Sequence, residues 1–382
     1  MRVAIVVRSL KVGGMERAAI NLSEAFAANG HEAHLIYLRA KDKALEPNDS
    51  VHLHHFNLDK AMKLTIIGFF WNILAKLISI IIRESYFLFK GIFTTPIFHY
   101  KIRQVEKEYG KFDLILLRGQ GTFETLWRSK DPRMVLQKVS MAAKYGNPLR
   151  NFYQRCLHQD KNILCNSLGV KEEFETVMKI TGATPKSIEL IPNLIHLDKV
   201  KEKSIEFIPD IDSPYIVNVG RFTSVKRIPL LLEAFSYAKT HLGLTHKLVL
   251  VGDGHIKKEI ENKIKSLNIE QDVVLTGSLN NPYPWIKNAD MFVFTSSSEG
   301  LPNVLLESLV CHTPIVATKG KGGTVDIMKN ELAGFLVNFD KKEIAQKIVD
   351  TLKSKPKIDF EKHVKDFEPK SVIKKYMDIY LK

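Results

Sequence analysis

The sequence predicts an α/β protein with two parallel-sheet halves, and three features of its 382 residues support this fold class. Short apolar runs alternate with segments of helical periodicity, which is the pattern of βαβ units. The runs contain few polar positions, as expected for strands that are buried on both faces. A polar, proline-containing stretch at 198–214 separates the two alternating series and is predicted to be a linker.

The first half opens with a strand at 2–7, a helix at 17–28 and a strand at 33–38, so a parallel sheet begins at once. Later strands of this half are predicted at 51–56, 112–117, 161–165 and 187–191. The second half is predicted to contain a helix at 228–240 and strands at 215–220, 247–251, 273–276, 291–295, 314–317 and 334–337.

Two Rossmann-like parallel sheets in tandem predict a cleft between the domains that carry them. We place an N-terminal domain at 1–200, a C-terminal domain at 201–368 and a final helix at 369–382. The final helix has one apolar side, so it can pack back on either domain and is a candidate to cross back to the N-terminal one.

Composition and charge limit the classes of protein that fit. The content of charged residues, 26%, is that of a globular protein. Three cysteines without C-x-x-C spacing argue against a disulfide framework or a zinc site as the basis of the fold. The net charge of +14 favours an anionic partner, although a merely basic surface is the alternative. The apolar run after Met1 is too short for a signal peptide, so we expect a cytoplasmic protein.

The stretch at 298–311 contains two glutamates that flank the predicted start of a helix. Glu299 follows a buried strand, Pro302 suits the first helical turn, and Glu307 lies more than one turn further on. Ligands of open α/β sheets bind at the carboxyl ends of strands, where helix N-termini attract anions and carboxylates accept hydroxyl groups. A nucleotide-sugar presents both groups. The alternative is that Glu299 caps the helix and Glu307 is a solvated helix residue.

Two other motifs are less specific. Gly13 and Gly14 allow close approach of a ligand to the backbone, or serve only as a tight turn between strand and helix. His52 and His54 share one face of a predicted strand, so a metal site is conceivable. Because no cysteine or carboxylate stands at a suitable spacing from them, we favour a half-exposed strand.

The most apolar part of the chain is 64–82, with its polar or small residues on a narrow helical stripe. The surrounding segment, 63–111, carries eight basic and three acidic side chains. These two features fit a helix that lies in the plane of an anionic membrane surface. The alternative is that 64–98 is an ordinary core helix of the first domain.

In order and spacing, four motifs make the chain resemble a retaining family-four glycosyltransferase of the GT-B fold, of the bacterial surface-glycan type. They are Gly13-Gly14-Met15-Glu16-Arg17, Gly220-Arg221 with Lys226, Gly252-Asp253-Gly254, and Glu299-Gly300-Leu301-Pro302-Asn303 continuing to Glu307. The resemblance implies a GT-B architecture in which two Rossmann-like domains face a cleft. It also implies that 1–200 binds the acceptor and 201–368 binds the nucleotide-sugar.

Residue roles follow from that resemblance. Arg221 and Lys226 would bind the donor diphosphate, Glu299 a hydroxyl of the transferred sugar, and Glu307 the ribose; Glu299, Arg221 and Lys226 form the catalytic set. Two cations at a strand end also fit this role physically, because they neutralise a leaving group as a metal would elsewhere. The remaining donor-side residues are Gly13, Gly14, Gly220, Gly252, Gly277, Leu279, Gly300, Leu301, Pro302 and Asn303. The acceptor-side residues are Arg17, Arg118 and Gln120.

The implied reaction transfers a sugar, with UDP as the favoured nucleotide of the donor, to a glycolipid of lipopolysaccharide, capsule or lipid-linked oligosaccharide synthesis. It retains the anomeric configuration, uses no side-chain nucleophile and needs no cofactor or metal, so we expect activity in EDTA. We expect the protein to be peripheral on the inner face of the cell membrane.

Two other classes of function remain open. An epimerase or a phosphorylase could use the same fold. A basic, non-enzymatic binding protein is the third class, but no nucleic-acid-binding pattern is found, so we expect no nucleic-acid partner.

Overall fold

A computed structural model describes residues 1–10, 13–39, 45–82, 85–140 and 145–380, apart from the side chains of Ile81 and Gln120. Arg83 and Glu84 of the basic segment, and 381–382 at the end of the predicted last helix, lie outside these residues. The chain divides into two compact units. Unit 1 comprises Met1–Leu194 and Pro369–Lys382, and unit 2 comprises Ile195–Glu368.

Unit 1 has a seven-stranded sheet of order β3-β2-β1-β4-β5-β6-β7 in which neighbouring strands run parallel. Its strands are β1 (Arg2–Val7), β2 (Glu32–Tyr37), β3 (Val51–His55), β4 (Leu114–Arg118), β5 (Met134–Lys138), β6 (Asn162–Cys165) and β7 (Ser187–Leu190). Its helices before residue 195 are α1 (Gly14–Ala28), α2 (Leu58–Lys63), α3 (Ile66–Ile81), α4 (Tyr86–Tyr109), α5 (Gln120–Thr125), α6 (Pro148–His158) and α7 (Leu168–Thr181).

Unit 2 has a parallel six-stranded sheet of order β10-β9-β8-β11-β13-β15, and a separate pair formed by β12 and β14. Its strands are β8 (Tyr215–Val219), β9 (Lys247–Val251), β10 (Val273–Gly277), β11 (Met291–Phe294), β12 (Ser298–Glu299), β13 (Ile315–Thr318), β14 (Lys321–Gly322) and β15 (Leu336–Val337). Its helices are α8 (Leu197–Ser204), α9 (Ile228–Leu242), α10 (Lys257–Ser266), α11 (Tyr283–Lys287), α12 (Asn303–Val310), α13 (Thr324–Ile327), α14 (Lys341–Ser354) and α15 (Phe360–Val364).

The predicted fold class is confirmed, because each unit is a parallel sheet with an apolar core on both faces. β1 shows why its sequence forms such a strand. Its apolar side chains alternate between the two cores, with Ala4 and Val6 in one and Val3 and Ile5 in the other. A strand buried in this way needs an almost continuous apolar run, which is what the sequence provides.

The last helix, α16 (Pro369–Tyr380), packs in unit 1. Val372, Ile373 and Tyr376 are buried in the same core as α1. The rings of Tyr376 and Phe26 meet edge to face, with centroids 5.3 Å apart. The sequence left both domains open for the final helix, and of these two alternatives the return to the N-terminal domain is confirmed.

Three local expectations were wrong. The stretch at 198–214 is not a plain linker, because its first part, up to Ser204, belongs to α8 and Val200 is buried. Glu299 is expected from the sequence in the turn between the strand at 291–295 and the following helix, but it lies on the short strand β12, which pairs with β14. β5 was not predicted, because Gln137 and Lys138 interrupt its apolar run, although both side chains are buried.

α3 has an unusual distribution of side chains. Part of its small and polar stripe faces inward: Gly68 and Asn72 are buried, whereas Lys76 of the same stripe is exposed. Asn72 Oδ1 accepts a hydrogen bond of 2.9 Å from the Tyr86 hydroxyl. Large apolar residues face outward, with Ile66 79% and Ile80 75% exposed. Among the described residues, no helix is both long and apolar enough to cross a membrane.

Histidines form a ladder across β2 and β3, the two strands at one edge of the unit 1 sheet. His34 lies opposite His52 in the strand register, and its ring stacks on those of His52 and His54. Burial lowers the pKa of His34 to about 4, and it also lowers the pKa of His54. Both rings are therefore neutral at pH 7.

Candidate functional site

The strand order of unit 2 reverses direction between β8 and β11, which is the topological switch point of its sheet. In open α/β sheets, loops that leave the carboxyl ends of the strands at such a point diverge and form a ligand site. The loop after β8 contains Gly220, Arg221 and Lys226, and the segment after β11 contains Glu299. The residues that the sequence selected for the diphosphate and the sugar therefore lie at this point.

An ion pair joins the two segments. Lys226 Nζ lies 2.6 Å from Glu299 Oε1, and each side chain is 21% exposed. The Ser296 hydroxyl donates to the same oxygen at 2.7 Å. Because both contacts end on Oε1, and Glu299 Oε2 accepts no hydrogen bond from the described residues, Oε2 is available to a ligand hydroxyl.

Hydrogen bonds connect the loop that carries Lys226 to the residues just after β11. The Thr295 hydroxyl donates to the Lys226 carbonyl at 2.9 Å, and the Ser297 backbone N–H donates to the Val225 carbonyl at 2.8 Å. The ammonium group of Lys226 also lies over the Phe294 ring, 5.2 Å from its centroid. These contacts position the ammonium group before any ligand arrives, which limits the entropy that binding has to remove.

Arg221 directly follows Gly220 at the end of β8 and is exposed. It makes no ion pair within the part of the chain that the structure describes. Its guanidinium group is therefore a second cation at the switch point. Unlike Lys226, it can bind an anion without first breaking an ion pair with a carboxylate of the described residues. A guanidinium group suits phosphate because its N–H donors form a planar fork.

Glycines allow the neighbouring strand ends to pack closely. The Gly220 N–H donates to the Val251 carbonyl at 3.0 Å, and the Gly252 N–H donates to the Gly277 carbonyl at 2.8 Å. A Cβ atom at Gly252 would lie 1.9 Å from the Gly220 carbonyl oxygen, and the φ angle of Gly252 is +153°. No other residue fits there, so this edge of the sheet depends on a glycine.

The glutamate further along lies on α12. Glu307 is half-buried, and its Oε1 is 3.5 Å from the Tyr283 hydroxyl, which donates to it. The helix begins at Asn303, directly after Gly300, Leu301 and Pro302, and the Gly300 carbonyl accepts a hydrogen bond of 2.8 Å from the Gly323 N–H. Glu299 and Glu307 therefore lie on either side of the start of α12 along the chain, as the sequence indicated.

Other donor-side candidates occupy loop positions. Gly277 ends β10 with a φ angle of +74°, where an added Cβ would meet nothing within 4 Å. Leu279 is partly buried and packs against the core of unit 2. In unit 1, Gly13 precedes α1 in extended backbone and Gly14 is exposed. Their roles toward a ligand stay predictions.

The acceptor-side candidates lie in unit 1. Arg118 ends β4 and is only 2% exposed; it donates to Gln137 Oε1 at 2.6 Å and to Asn193 Oδ1 at 3.3 Å. Gln137 in turn donates to the Tyr376 hydroxyl at 3.4 Å, and burial lowers the pKa of Arg118. This network links Arg118 to the returning helix α16.

The other two acceptor-side candidates are less well defined. Arg17 is half-buried on α1. Gln120 begins α5, but its side chain lies outside the described residues. A role of Arg17, Arg118 or Gln120 toward an acceptor stays a prediction.

Sequence reasoning missed two residues of the site. Ser296 holds Glu299, and its place three residues earlier in the run T-S-S-S-E was a usable signal. Tyr283 holds Glu307 from 24 residues away in the chain, and no local pattern marks such a partner.

Two family models match the chain in tandem. Residues 12–199 match the model described as Glycosyltransferase Family 4, and residues 200–368 match the one described as Glycosyl transferases group 1. HepE from Anabaena, solved in complex with UDP-glucose, shares the fold with a TM-score of 0.68 at 15% identity over 99% of this chain and 98% of its own.

Two relatives from Campylobacter jejuni are similar in sequence. The N-acetylgalactosamine-N,N'-diacetylbacillosaminyl-diphospho-undecaprenol 4-alpha-N-acetylgalactosaminyltransferase is 36% identical over 178 residues, which are 47% of this chain and 47% of its own. The match therefore spans about half the length of that relative. The GalNAc-alpha-(1->4)-GalNAc-alpha-(1->3)-diNAcBac-PP-undecaprenol alpha-1,4-N-acetyl-D-galactosaminyltransferase is 24% identical over 345 residues, 89% of this chain and 85% of its own.

Proposed function

Because the chain belongs to glycosyltransferase family 4, we propose that it transfers a sugar from a UDP-sugar to a hydroxyl group of a membrane glycolipid, with retention of configuration. The names of the two Campylobacter relatives specify undecaprenol-linked diphosphate acceptors, and HepE was crystallised with UDP-glucose. These relatives support a lipid-linked acceptor and a uridine nucleotide here. The product would be a precursor of a bacterial surface glycan.

The observation that carries the proposal is the pairing of Lys226 with Glu299 at the switch point of unit 2. The pair provides a cation for a diphosphate and a carboxylate for sugar hydroxyls within one contact of each other. When the donor binds, Lys226 exchanges Glu299 for a phosphate oxygen. Glu299, still bonded to Ser296, then accepts hydroxyl groups of the sugar.

The proposed reaction needs charge stabilisation more than a side-chain base. The bond between the anomeric carbon and the phosphate oxygen breaks, and its electron pair goes to the nucleoside diphosphate. The acceptor oxygen bonds to the same carbon from the face that the phosphate leaves, and its proton passes to the leaving phosphate. Arg221 and Lys226 would stabilise the negative charge that develops on that phosphate.

A transfer assay tests the function. The full chain is incubated with radiolabelled UDP-sugars and a lipid-diphosphate glycan acceptor, and products are separated and examined by NMR. We expect one glycosidic bond per UDP released, with the anomeric configuration of the donor. Sugar phosphate as the product would indicate a phosphorylase, and an altered UDP-sugar without acceptor would indicate an epimerase. Retention of nucleic acid on filters at physiological salt, without transfer, would favour the third class.

We further propose that the outward apolar face of α3 binds an anionic membrane surface. The exposed residues of this face are Leu64, Ile66, Ile67, Phe69, Phe70, Ile73, Leu74, Leu77 and Ile80. A contiguous exposed apolar surface of this size is uncommon on proteins that contact only water. Trp71 supports the helix from within, because its indole N–H donates to the Phe89 carbonyl at 2.8 Å.

The charge beside this face is also suitable. Lys63 and Lys76 are exposed just before α3 and on it; Arg103, Lys107 and Lys111 are exposed further along the basic segment, on α4 and just after it, where Glu108 is exposed as well. Lys90, counted with them in the sequence, is instead buried and pairs with Asp59. Cations of this kind attract anionic headgroups while the apolar face enters the interface.

The variant Ile67→Asp/Phe70→Asp is expected to reduce binding to anionic vesicles about tenfold or more, because it places two charges where apolar side chains would enter the interface. Liposome flotation measures the bound fraction. Ile180→Asp, at an exposed isoleucine on α7, is the matched control and should bind like the parent. Equal binding by the double variant and the parent would contradict the proposal. Equal binding of the parent to neutral and anionic vesicles would contradict the proposed attraction of the basic side chains to anionic headgroups.

A further inference from the structure

The histidine ladder of unit 1 brings together side chains that lie 20 residues apart in the chain. His34 on β2 is fully buried, and His52 faces it from β3 with the ring centroids 4.7 Å apart. Glu32, at the start of β2, approaches the same rings: its Oε1 lies 3.1 Å from His34 Nε2. β3 is the edge strand of the sheet, so the cluster lies at the edge of the sheet.

These three residues have the geometry of a ligand set. One oxygen of Glu32 and one ring nitrogen each of His34 and His52 all lie within 4.8 Å of one another. Atoms separated in this way can reach a shared metal ion by small side-chain rotations. Two imidazoles and one carboxylate bind zinc and the other late first-row divalent metals, whereas magnesium and calcium prefer oxygen ligands.

The surroundings orient the set. Arg2 Nη2 donates to Glu32 Oε2 at 2.6 Å, so the other carboxylate oxygen is turned toward His34. His34 Nδ1 and His54 Nε2 are 2.9 Å apart and share a hydrogen bond. Tyr109 and Phe112 each meet the His34 ring edge to face, with centroids 4.9 Å away. Outer contacts of this kind fix the orientation and tautomer of metal ligands.

We propose that Glu32, His34 and His52 bind one divalent cation of the zinc type, with water completing the coordination, and that the ion fastens the edge strand β3 to β2. In the proposed complex His34 binds through Nε2, and its proton resides on Nδ1, from which it is donated to His54 Nε2. The hydrogen bond between His34 and Glu32 is replaced by two bonds to the same ion. Arg2 remains on the outer carboxylate oxygen.

The site is separate from the residues proposed for sugar transfer. It lies in the amino-terminal halves of β2 and β3, whereas the acceptor-side candidate Arg118 is at the carboxyl end of β4 in the same sheet. The ion would therefore act on the stability of unit 1. Sugar transfer in EDTA is expected to remain, and the proposal does not depend on the transfer activity.

The test uses the untagged full chain, freed of metal with EDTA and then of EDTA by gel filtration. Zinc chloride is expected to bind with one strong site by calorimetry, and to raise the melting temperature by about 5–10 °C at roughly 100 times its Kd. Magnesium chloride should raise it much less. Cobalt(II) bound at the same site should give a visible absorption spectrum that zinc abolishes.

Two variants test whether the zinc effect depends on the proposed ligands. His52→Ala removes an exposed ligand and Glu32→Gln keeps the shape of the carboxylate, so both should fold, and both should lose the strong zinc site and most of the melting-temperature rise. His255→Ala, at an exposed histidine of unit 2, is the control and should respond like the parent. A parent without a zinc-dependent rise, or a rise of equal size in His52→Ala, would overturn the proposal.

Discussion

Replacing Lys226 with alanine is expected to lower kcat/KM for sugar transfer by about 10²-fold or more, because the proposed charged contact of Lys226 with the leaving diphosphate would be lost in the transition state. The loss should be specific to catalysis. The pair with Glu299 is partly exposed, and such pairs contribute only about 0–1 kcal/mol to stability. The melting temperature of the variant should therefore stay close to that of the parent.

Initial rates at varied donor concentration, with the acceptor fixed, measure the effect. Lys265→Ala provides the matched control, since Lys265 is exposed on α10 of the same unit. Its kcat/KM should equal that of the parent. If Lys226→Ala left kcat/KM unaltered, the assignment of Lys226 to the diphosphate would be wrong, although the chain would still belong to the family.

Replacing Gly252 with alanine is expected to destabilise unit 2 by about 3 kcal/mol, since the added Cβ would lie 1.9 Å from a carbonyl oxygen at a φ angle of +153°. For a unit of this size the transition should fall by roughly 6–12 °C. The strand ends that hold Gly220 and Arg221 would also shift, so the melting-temperature rise that we expect UDP, the proposed donor nucleotide, to cause in the parent should be lost in the variant.

Differential scanning calorimetry resolves this change, because the transitions of two units need not coincide. Gly243→Ala is the control: Gly243 has a φ angle of +69°, but an added Cβ there would meet nothing within 4 Å. That variant is expected to lose only about 1 kcal/mol. Equal losses at the two positions would show that backbone conformation, and not the close approach of the strands, determines the requirement for glycine at 252.

The parallel sheets could be predicted because their strands are buried on both faces and so appear as continuous apolar runs, as in β1. The position of the donor-side residues followed for a related reason. Gly220 and Arg221 stand directly after one such run and Glu299 follows another after a short run of serines, and the carboxyl ends of parallel strands meet at one edge. β5 escaped detection because Gln137 is buried by bonding to Arg118, a partner that lies in another strand.

Contacts between distant segments account for what could not be predicted. The narrow stripe of polar or small residues at 64–82 was visible in the sequence, but the side of α3 that packs inward depends on the hydrogen bonds that Asn72 and Trp71 make with Tyr86 and Phe89. The histidines of β3 were interpreted as a half-exposed strand because no carboxylate stood near them in the sequence. Glu32 reaches them only through the pairing of β2 with β3.

The placement of α16 in unit 1 has a consequence for the order in which the chain acquires its structure. Residues 369–380 are synthesised only after all of 195–368, yet Tyr376 belongs to the core that α1 begins to build. A ribosome that has just completed unit 2 therefore carries an earlier unit whose apolar surface around Phe26 is still uncovered. Unit 1, although most of its residues are synthesised before unit 2, can complete its core only after unit 2 has been synthesised.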